Sequence, residues 1–393
     1  MPTKFQLITE LYDQTVQSVT GSYQSWTGFL RAACYNYKCP FDDQILIYAQ
    51  RPDATAVLEM ERWNRQFGRW VNRGAKSIAV FGDDGQNCLK LYFDVSDTHA
   101  SRFARPLPIW TMHPAFEPEV IETLEATFGN LAEKENLADA VRSACHNAVA
   151  DNFTDYLQDL RECREDSLLE ELDDLNLEVF YRDALEVSVA YMLMTRLGLR
   201  ADDYFTADEF AHVYEFNTPP TINALGIATS DIAEMGLRAI SRTVMQAQRD
   251  QFFANREKTV MMTAQNNTKH PMKGANSMEV TYRMQNGFQV PNLLMPQTPE
   301  VHLGKYAELR RAYLKKHRRV LYTNLKTSGA LTEHLSEIEQ SAQKMVEQTV
   351  ARMARAEGVT EELKATDPLR WTGLMNNLRH SAEELVLSDL IYA

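Results

Sequence analysis

Residues 78–95 of this 393-residue chain read IAVFGDDGQNCLKLYFDV, and this stretch decides the fold class of the N-terminal region. Two runs of apolar, β-favouring residues flank Asp83-Asp84-Gly85, whose composition is typical of a turn. The stretch therefore predicts a strand, a turn and a second, antiparallel strand. The residues before it, over 5–49, repeat their apolar side chains at helical spacing instead. Residues 1–110 thus predict an α+β domain, with helices followed by a small antiparallel sheet.

The next region, residues 111–260, predicts a helical domain with a strongly acidic surface. It contains 12 Lys and Arg against 29 Asp and Glu. Within it, residues 151–186 hold thirteen acidic side chains against three arginines, without a glycine or a proline. We expect this run to be the solvated face of a helical bundle; a mimic of nucleic-acid charge is the alternative.

A polar segment without hydrophobic period, residues 261–278, predicts a linker to a third, helical domain over 279–393. Three helices are expected there, over about 304–327, over 331–357 and from Pro368 onward. The second helix carries a heptad-like stripe made of Leu331, Leu335, Ile338, Ala342, Met345 and Thr349. This stripe favours the core of a three-helix unit, with a dimer seam as the alternative. The chain as a whole is predicted to be predominantly helical.

Composition and charge predict a cytoplasmic protein without a membrane partner. Apolar residues make up 44% and charged residues 24% of the chain, which is sufficient to build hydrophobic cores. No run approaches the roughly 18 apolar residues of a membrane span, and the first residues lack a secretory signal. The five cysteines are odd in number and form no C-x-x-C pair, which is typical of reduced thiols. The oligomeric state cannot be derived from these features.

Motifs of catalytic sites are missing, so the sequence predicts no catalytic residue, no metal site and no cofactor. The chain has neither a phosphate-binding P-loop nor a G-x-G-x-x-G turn. The segment Asp208-Glu209-Phe210-Ala211-His212 approaches the helix of a zinc peptidase, but an aspartate stands where the first histidine is needed. We therefore expect a protein that is not an enzyme.

A cluster of basic and aromatic residues in the N-terminal region predicts a nucleic-acid site. Its candidate binding residues are Arg62, Arg65, Arg69, Trp70, Arg73 and Lys76, interleaved with Trp63 and Phe67. On a continuous helix the first three arginines would share one face. Guanidinium groups bind phosphates, and flat rings stack on unpaired bases, so the combination suits a single strand. The alternative is that the aromatic rings are core and the arginines only solubilise a helix.

A second basic cluster opens the C-terminal domain. Its candidate binding residues are Arg310, Arg311, Lys315, Lys316, Arg318 and Arg319. Such a positive ridge can follow a phosphate backbone, or it can pair with the acidic region of the same chain.

The span from Trp26 to Phe81 resembles the N-terminal domain of ArdC-type anti-restriction proteins. The residues that carry the resemblance are Trp26, the helix Ile45 to Gln50, Pro52, Ala54-Thr55, Trp63, Gly68-Arg69, Val71, Arg73-Gly74, Lys76 and Ile78. That domain is linked to single-stranded DNA binding, and it also begins very large helicase–methylase proteins of conjugative transposons. Residues 1–257 look like the leading piece of such a protein. Ala75 and Ser77 depart from the Glu and Gly often found in the turn.

The C-terminal region, about 278–393, resembles TnpV, a small transposon-encoded protein. The carrying residues are Gly304-Lys305-Tyr306, Arg310-Arg311, Tyr313-Leu314, His317-Arg318, Leu321-Tyr322, Ser328-Gly329, His334-Leu335, Thr360 to Leu363, Trp371, Met375-Asn376-Asn377, and Ala382-Glu383-Glu384 through Ile391-Tyr392. Both resemblances imply a mobile genetic element.

Together these features predict a non-enzymatic accessory protein of a mobile genetic element that binds single-stranded DNA through its N-terminal domain. Two alternatives remain open. One is an anti-restriction or anti-CRISPR inhibitor that binds a host defence nuclease with its acidic surface. The other is an inactive remnant of a larger helicase–methylase.

Overall fold

The computed structural model describes residues 3–82, 88–259, 282–285, 288–291, 303–356, 359 and 368–392. The chain divides into two compact units, an N-terminal unit (1–82 and 89–296) and a C-terminal unit (297–393). The predicted linker 261–278 lies outside the described residues.

Helices open the N-terminal unit, as the apolar spacing predicts. They are α1 (Lys4–Val19), α2 (Tyr23–Ala33), α3 (Phe41–Gln50) and the short α4 (Met60–Arg62). The side chains of Thr3 and Ser22 cap α1 and α2, because each accepts a hydrogen bond from a backbone amide of the first turn. Trp26 and Ile45 are fully buried on the inner faces of α2 and α3.

Two small antiparallel sheets follow the first helices. The strands are β1 (Val57–Glu59), β2 (Arg69–Val71), β3 (Ile78–Phe81), β4 (Leu89–Asp94) and β5 (Thr98–Ala100). One sheet has the order β1–β4–β3, and the other pairs β2 with β5. Phe81 lies opposite Leu89, so the predicted strand pair is confirmed; its turn at residues 83–87 lies outside the described residues.

The acidic region is helical, as predicted. Its helices are α5 (Glu117–Phe128), α6 (Leu137–Asn152), α7 (Thr154–Cys163), α8 (Asp174–Arg196) and α9 (Pro219–Thr259). A 3₁₀ helix, Ala207–Glu215, begins with a capping box formed by Thr206 and Glu209.

Buried hydrogen bonds join the first helices to α8 and α9. Tyr12 Oη donates to Asn223 Oδ1 at 2.5 Å, Trp26 Nε1 donates to Ser188 Oγ at 2.9 Å, and Ser230 Oγ donates to Gln44 Oε1 at 3.0 Å. Because buried polar groups need such partners, these contacts fix how the elements pack. Residues of the predicted domains 1–110 and 111–260 therefore share one compact unit.

The described residues after α9 begin with a short hairpin and continue as helices. The hairpin pairs β6 (Tyr282–Gln285) with β7 (Phe288–Pro291). The helices are α10 (Lys305–His317), α11 (Arg319–Thr327), α12 (Leu331–Ala356) and α13 (Pro368–Val386), which ends in a π-helical turn, Leu387–Ile391. The prediction of one helix over 304–327 is wrong, because Arg318 leaves helical geometry with φ −131° and ψ 61°.

The stripe on α12 packs into the core of the C-terminal unit. Leu331, Leu335, Ala342 and Thr349 are buried, whereas Met345 is exposed and Val346 takes the inner position. Ala342 and Val346 pack in one cluster with residues of α13 and its terminal turn. The predicted fold class, an α+β region followed by helices in a predominantly helical chain, is confirmed.

Candidate nucleic-acid interface

The helix that was expected to align Arg62, Arg65 and Arg69 ends before the third arginine. Helix α4 continues as a π-helical turn, Trp63–Phe67, and Gly68 then adopts a left-handed conformation with φ 61°. Glycine accepts this conformation without steric cost, so it terminates helices readily. Arg69 consequently begins strand β2, and the predicted shared face does not form.

Strand alternation separates Arg69 from Trp70. Successive side chains of a strand point to opposite faces. Val71 and its partner Thr98 are buried, and Arg69 turns to the same side, where it donates from Nε to Thr98 Oγ1 at 2.7 Å. Trp70 points the other way, is 52% exposed and pairs with His99 across the sheet.

The loop after β2 carries two more of the predicted cations. Arg73 and Lys76 are both exposed, and Gly74 between them has φ 86°. Asn72 anchors the loop to β5, because its Oδ1 lies 2.7 Å from His99 Nδ1. The Arg-Gly-x-Lys segment thus begins three residues after the exposed tryptophan.

The segment after β5 adds a second exposed ring with its own cation. Phe103 is 74% exposed, and the guanidinium carbon of Arg102 lies 4.5 Å from the centre of its ring. The segment is held against the end of α4, because Ser101 N donates to Gly68 O and Arg105 N donates to Phe67 O. A side chain at residue 68 would approach Phe103 O to 3.1 Å, so glycine also permits this close backbone contact.

We define the β2–β5 patch as Trp70, Arg73, Lys76, His99, Arg102 and Phe103. The last three were missed by the sequence analysis. The only signal available for them was the Arg-Phe pair directly after a short polar strand.

The alternative interpretation, in which the aromatic rings are core, holds for Trp63 but not for Trp70. Trp63 is buried, and its Nε1 donates to Phe93 O at 2.8 Å. Arg65 forms an exposed ion pair with Glu61 at 2.8 Å. Arg62 lies at the wall of a separate cavity rather than on the β2–β5 patch.

The second predicted cluster is divided by the break at Arg318. Arg310 is only 9% exposed and donates from Nη1 to Ile391 O at 3.0 Å, so it anchors the end of α13. Burial lowers the pKa of its guanidinium. Arg311 pairs with Glu308 at 2.6 Å. Only Lys315, Lys316 and Arg319 of this cluster are exposed.

The connection between α7 and α8 carries the most exposed part of the acidic run. Glu165, Asp166, Glu170 and Glu171 are exposed there. Leu168 in the same loop is 58% exposed and Leu175 at the start of α8 is 72% exposed. Exposed leucines and acidic side chains therefore occur together in this connection.

No group of three or more His, Cys, Asp or Glu in the part of the chain that the structure describes could hold a metal ion. Among the described helices, none combines the length and the apolar character needed to cross a bilayer.

Comparison with known proteins matches one part of the chain. Residues 281–391 match the family of the transposon-encoded protein TnpV. No curated protein and no solved structure matches the chain. The ArdC resemblance therefore rests on the residues quoted for it, and the β2–β5 patch rests on its own geometry. The segment 281–391 is similar to the transposon-encoded protein TnpV, as its residues predict.

Proposed function

We propose that this protein is a non-enzymatic, cytoplasmic accessory factor of a mobile genetic element, and that it binds single-stranded DNA through the β2–β5 patch. The observation that carries the proposal is the exposed indole of Trp70 on a narrow sheet, with exposed Arg73 and Lys76 three and six residues later in the chain. The TnpV match of residues 281–391 supports the mobile-element setting. The ArdC resemblance of residues Trp26 to Phe81 supports the choice of ligand.

Chemistry favours a single strand over a duplex at this patch. Trp70 and Phe103 present the faces or edges of flat rings to solvent, and only unpaired bases are free to stack on them. Arg73, Lys76 and Arg102 supply phosphate contacts on the same short segments of chain. Stacking on ring faces and contacts to phosphates do not distinguish one base from another, so we expect little sequence preference.

The test is a binding titration of the full chain with a fluorescently labelled single strand and with the matching duplex at low salt. We expect tighter binding of the single strand. Trp70→Ala should weaken that binding by about 5- to 150-fold, because one stacked base contributes about 1–3 kcal/mol. Tyr204→Ala removes an exposed aromatic ring from a different element and should leave the affinity unchanged. Equal affinity for strand and duplex, or an unchanged affinity of Trp70→Ala, contradicts the proposal.

A second candidate function is inhibition of a host defence nuclease by the acidic α7–α8 loop. Exposed Leu168 and Leu175 among acidic side chains favour it, because a basic nuclease channel would contact both kinds of group. The reversal Glu170→Lys/Glu171→Lys should then abolish inhibition of a restriction or CRISPR nuclease in a cleavage assay. It should leave single-strand binding intact. If the wild-type chain inhibits no such nuclease, this candidate is eliminated.

A further inference from the structure

A cavity of about 730 Å³ lies in the N-terminal unit, apart from the residues of the β2–β5 patch. The chain segments 35–40, 55–58, 62–63, 66–67 and 107–112 form much of its wall, together with the end of α8. Its volume falls in the range of about 300–1,000 Å³ that is usual for small-molecule sites. The cavity can therefore hold a ligand of the size of a nucleotide.

The charged side chains that line this cavity are all cations. They are Lys38, Arg62, Arg196 and Arg238, and no aspartate or glutamate stands among the lining residues. Arg238 is paired, because its Nε donates to Glu234 Oε1 at 2.7 Å. The other three have no carboxylate partner among the described residues. The carboxylates of Asp42 and Asp43 also lie near the cavity, since both add to the effect of burial in raising the pKa of the lining residue Cys39. Asp43 accepts a hydrogen bond from the hydroxyl of Tyr92 at 3.1 Å.

Among these four cations, Arg196 gives the strongest indication of an anion-binding site. It is only 9% exposed, and its guanidinium stacks on Trp110 with 3.6 Å between the guanidinium carbon and the ring centre. Nη2 donates to the backbone oxygen of Trp110 at 2.8 Å, whereas Nε is buried without a hydrogen-bond partner. A buried cation without a counter-charge is costly, so the fold holds here a group that an incoming anion would stabilise.

Aromatic side chains supply the rest of the recognition surface. Rings of Tyr35, Tyr37, Trp63, Phe67, Tyr92 and Trp110 line the cavity. Tyr37 is buried and its hydroxyl lacks a hydrogen-bond partner among the described residues, as does Nε1 of Trp110. A ligand with a flat ring and polar edges would pack on such a wall, because aromatic groups prefer stacked or edge-to-face contacts.

We propose that this cavity binds a nucleoside phosphate, with the phosphate near Arg62 and Arg196 and the base against the aromatic wall. The chemistry is shared by a free nucleotide and by the phosphorylated end of a single strand. The inference goes beyond the proposed function, since the cavity uses residues that do not belong to the β2–β5 patch. It stands or fails separately from strand binding at Trp70.

The test is isothermal titration of the full chain with deoxyadenosine monophosphate, deoxyadenosine and inorganic phosphate. We expect saturable binding of the nucleotide and at least about tenfold weaker binding of the other two ligands, because each lacks one half of the contacts. No saturable binding of the nucleotide would overturn the proposal. Inorganic phosphate that binds as tightly as the nucleotide would also overturn it, because the base would then make no contact.

Two variants locate the site. Arg62→Met removes an exposed cavity cation without a described carboxylate partner and should weaken nucleotide binding about tenfold or more. Arg65→Met removes the same charge three residues further on, outside the cavity lining, and serves as the matched control. Arg196→Lys keeps the charge but loses the planar fork, and should also weaken binding. Full nucleotide affinity in both Arg62→Met and Arg196→Lys would overturn the assignment of the site.

Two further titrations determine whether the ligand is a free nucleotide or a strand end, and whether the cavity is independent of the β2–β5 patch. Competition by a 5′-phosphorylated single strand, but not by the unphosphorylated strand, supports a strand end; no competition by either supports a free nucleotide. Trp70→Ala should leave nucleotide affinity unchanged. A loss of nucleotide binding in Trp70→Ala would overturn the claim of a separate site.

Discussion

At the scale of single residues, the buried hydrogen bond between Trp26 and Ser188 stabilises the N-terminal unit. The indole Nε1 of Trp26 donates to Ser188 Oγ at 2.9 Å, and both side chains are fully buried. The serine hydroxyl in turn donates to Ala184 O within α8. One hydroxyl therefore satisfies a donor from α2 while remaining anchored in its own helix.

Ser188→Ala should lower the free energy of unfolding of the N-terminal unit by about 1–3 kcal/mol. The physical reason is that the indole N–H stays buried after its acceptor is removed. Urea denaturation followed by tryptophan fluorescence measures the change. Leu175→Ala, at an exposed position of the same helix, should change the value by less than about 0.5 kcal/mol. Equal effects of the two substitutions would contradict this account of the contact.

Two tryptophans seven residues apart show what the sequence could predict at this scale. The sequence identified Trp63 and Trp70 as one aromatic and basic cluster, but it could not assign each ring to core or surface. That assignment depends on the helix end at Gly68 and on the strand that follows, where Trp70 and Arg69 point to opposite faces. Composition thus identified the six candidate residues of this cluster. Local backbone geometry then determined which of them lie together on one face and which do not.

At the scale of elements, helix α9 approaches α3 so closely that only glycine fits at one position. A Cβ at Gly226 would overlap the ring of Phe41. Phe41 is itself 2% exposed and contacts Phe29 edge-on at 5.6 Å, so its ring has little room to move. Close packing at this crossing is part of what joins the first helices to the acidic region.

Gly226→Ala should therefore destabilise the N-terminal unit by about 1–3 kcal/mol, although alanine favours helices more than glycine does. Thermal unfolding followed by circular dichroism measures the change. The matched control is Gly373→Ala in α13, where no atom lies within 4 Å of the added Cβ. This control should leave the C-terminal unit unchanged or stabilise it by up to about 1 kcal/mol. A neutral Gly226→Ala would show that the crossing is looser than described.

The sequence predicted the buried faces of helices better than it predicted where the helices end. The stripe from Leu331 to Thr349 identified the buried face of α12, apart from the exchange of Met345 for Val346. The break at Arg318 has no glycine or proline to signal it. The second basic cluster was predicted to lie on one continuous helix, but the structure divides it between α10 and α11.

At the scale of the whole molecule, the α+β region and the acidic helices depend on each other. Tyr12, Trp26 and Gln44 each form a buried hydrogen bond with α8 or α9. In a fragment without those helices the same side chains would face water, with their apolar neighbours exposed around them.

A fragment of residues 1–110 should accordingly fail to unfold cooperatively, whereas the full chain should show a cooperative transition. Near-ultraviolet circular dichroism and a urea titration of the two proteins make the comparison. The reason is that a core completed by α8 and α9 cannot form without them. A fragment with a native-like near-ultraviolet spectrum and a sharp transition would contradict the shared core.

Electrostatics acts on the whole molecule as well, because the chain has a net charge of −13 and a single strand is also negative. Any strand binding must therefore come from locally concentrated cations, such as those of the β2–β5 patch, rather than from the average charge. Local phosphate contacts release counterions, so the logarithm of the affinity falls linearly with the logarithm of the salt concentration.

The measurement that tests the account most directly is a salt series of single-strand affinity for the full chain and for Arg73→Ala/Lys76→Ala. Each phosphate contact to a single strand contributes about 0.7 to the slope, so the double variant should lower its magnitude by about 1.4. Arg200→Ala/Arg352→Ala makes the same charge change at other exposed positions and should keep the wild-type slope. The account predicts that the slope of affinity against salt becomes shallower in Arg73→Ala/Lys76→Ala and stays at the wild-type value in Arg200→Ala/Arg352→Ala. Equal slopes in all three proteins, or no single-strand binding at low salt, would contradict it.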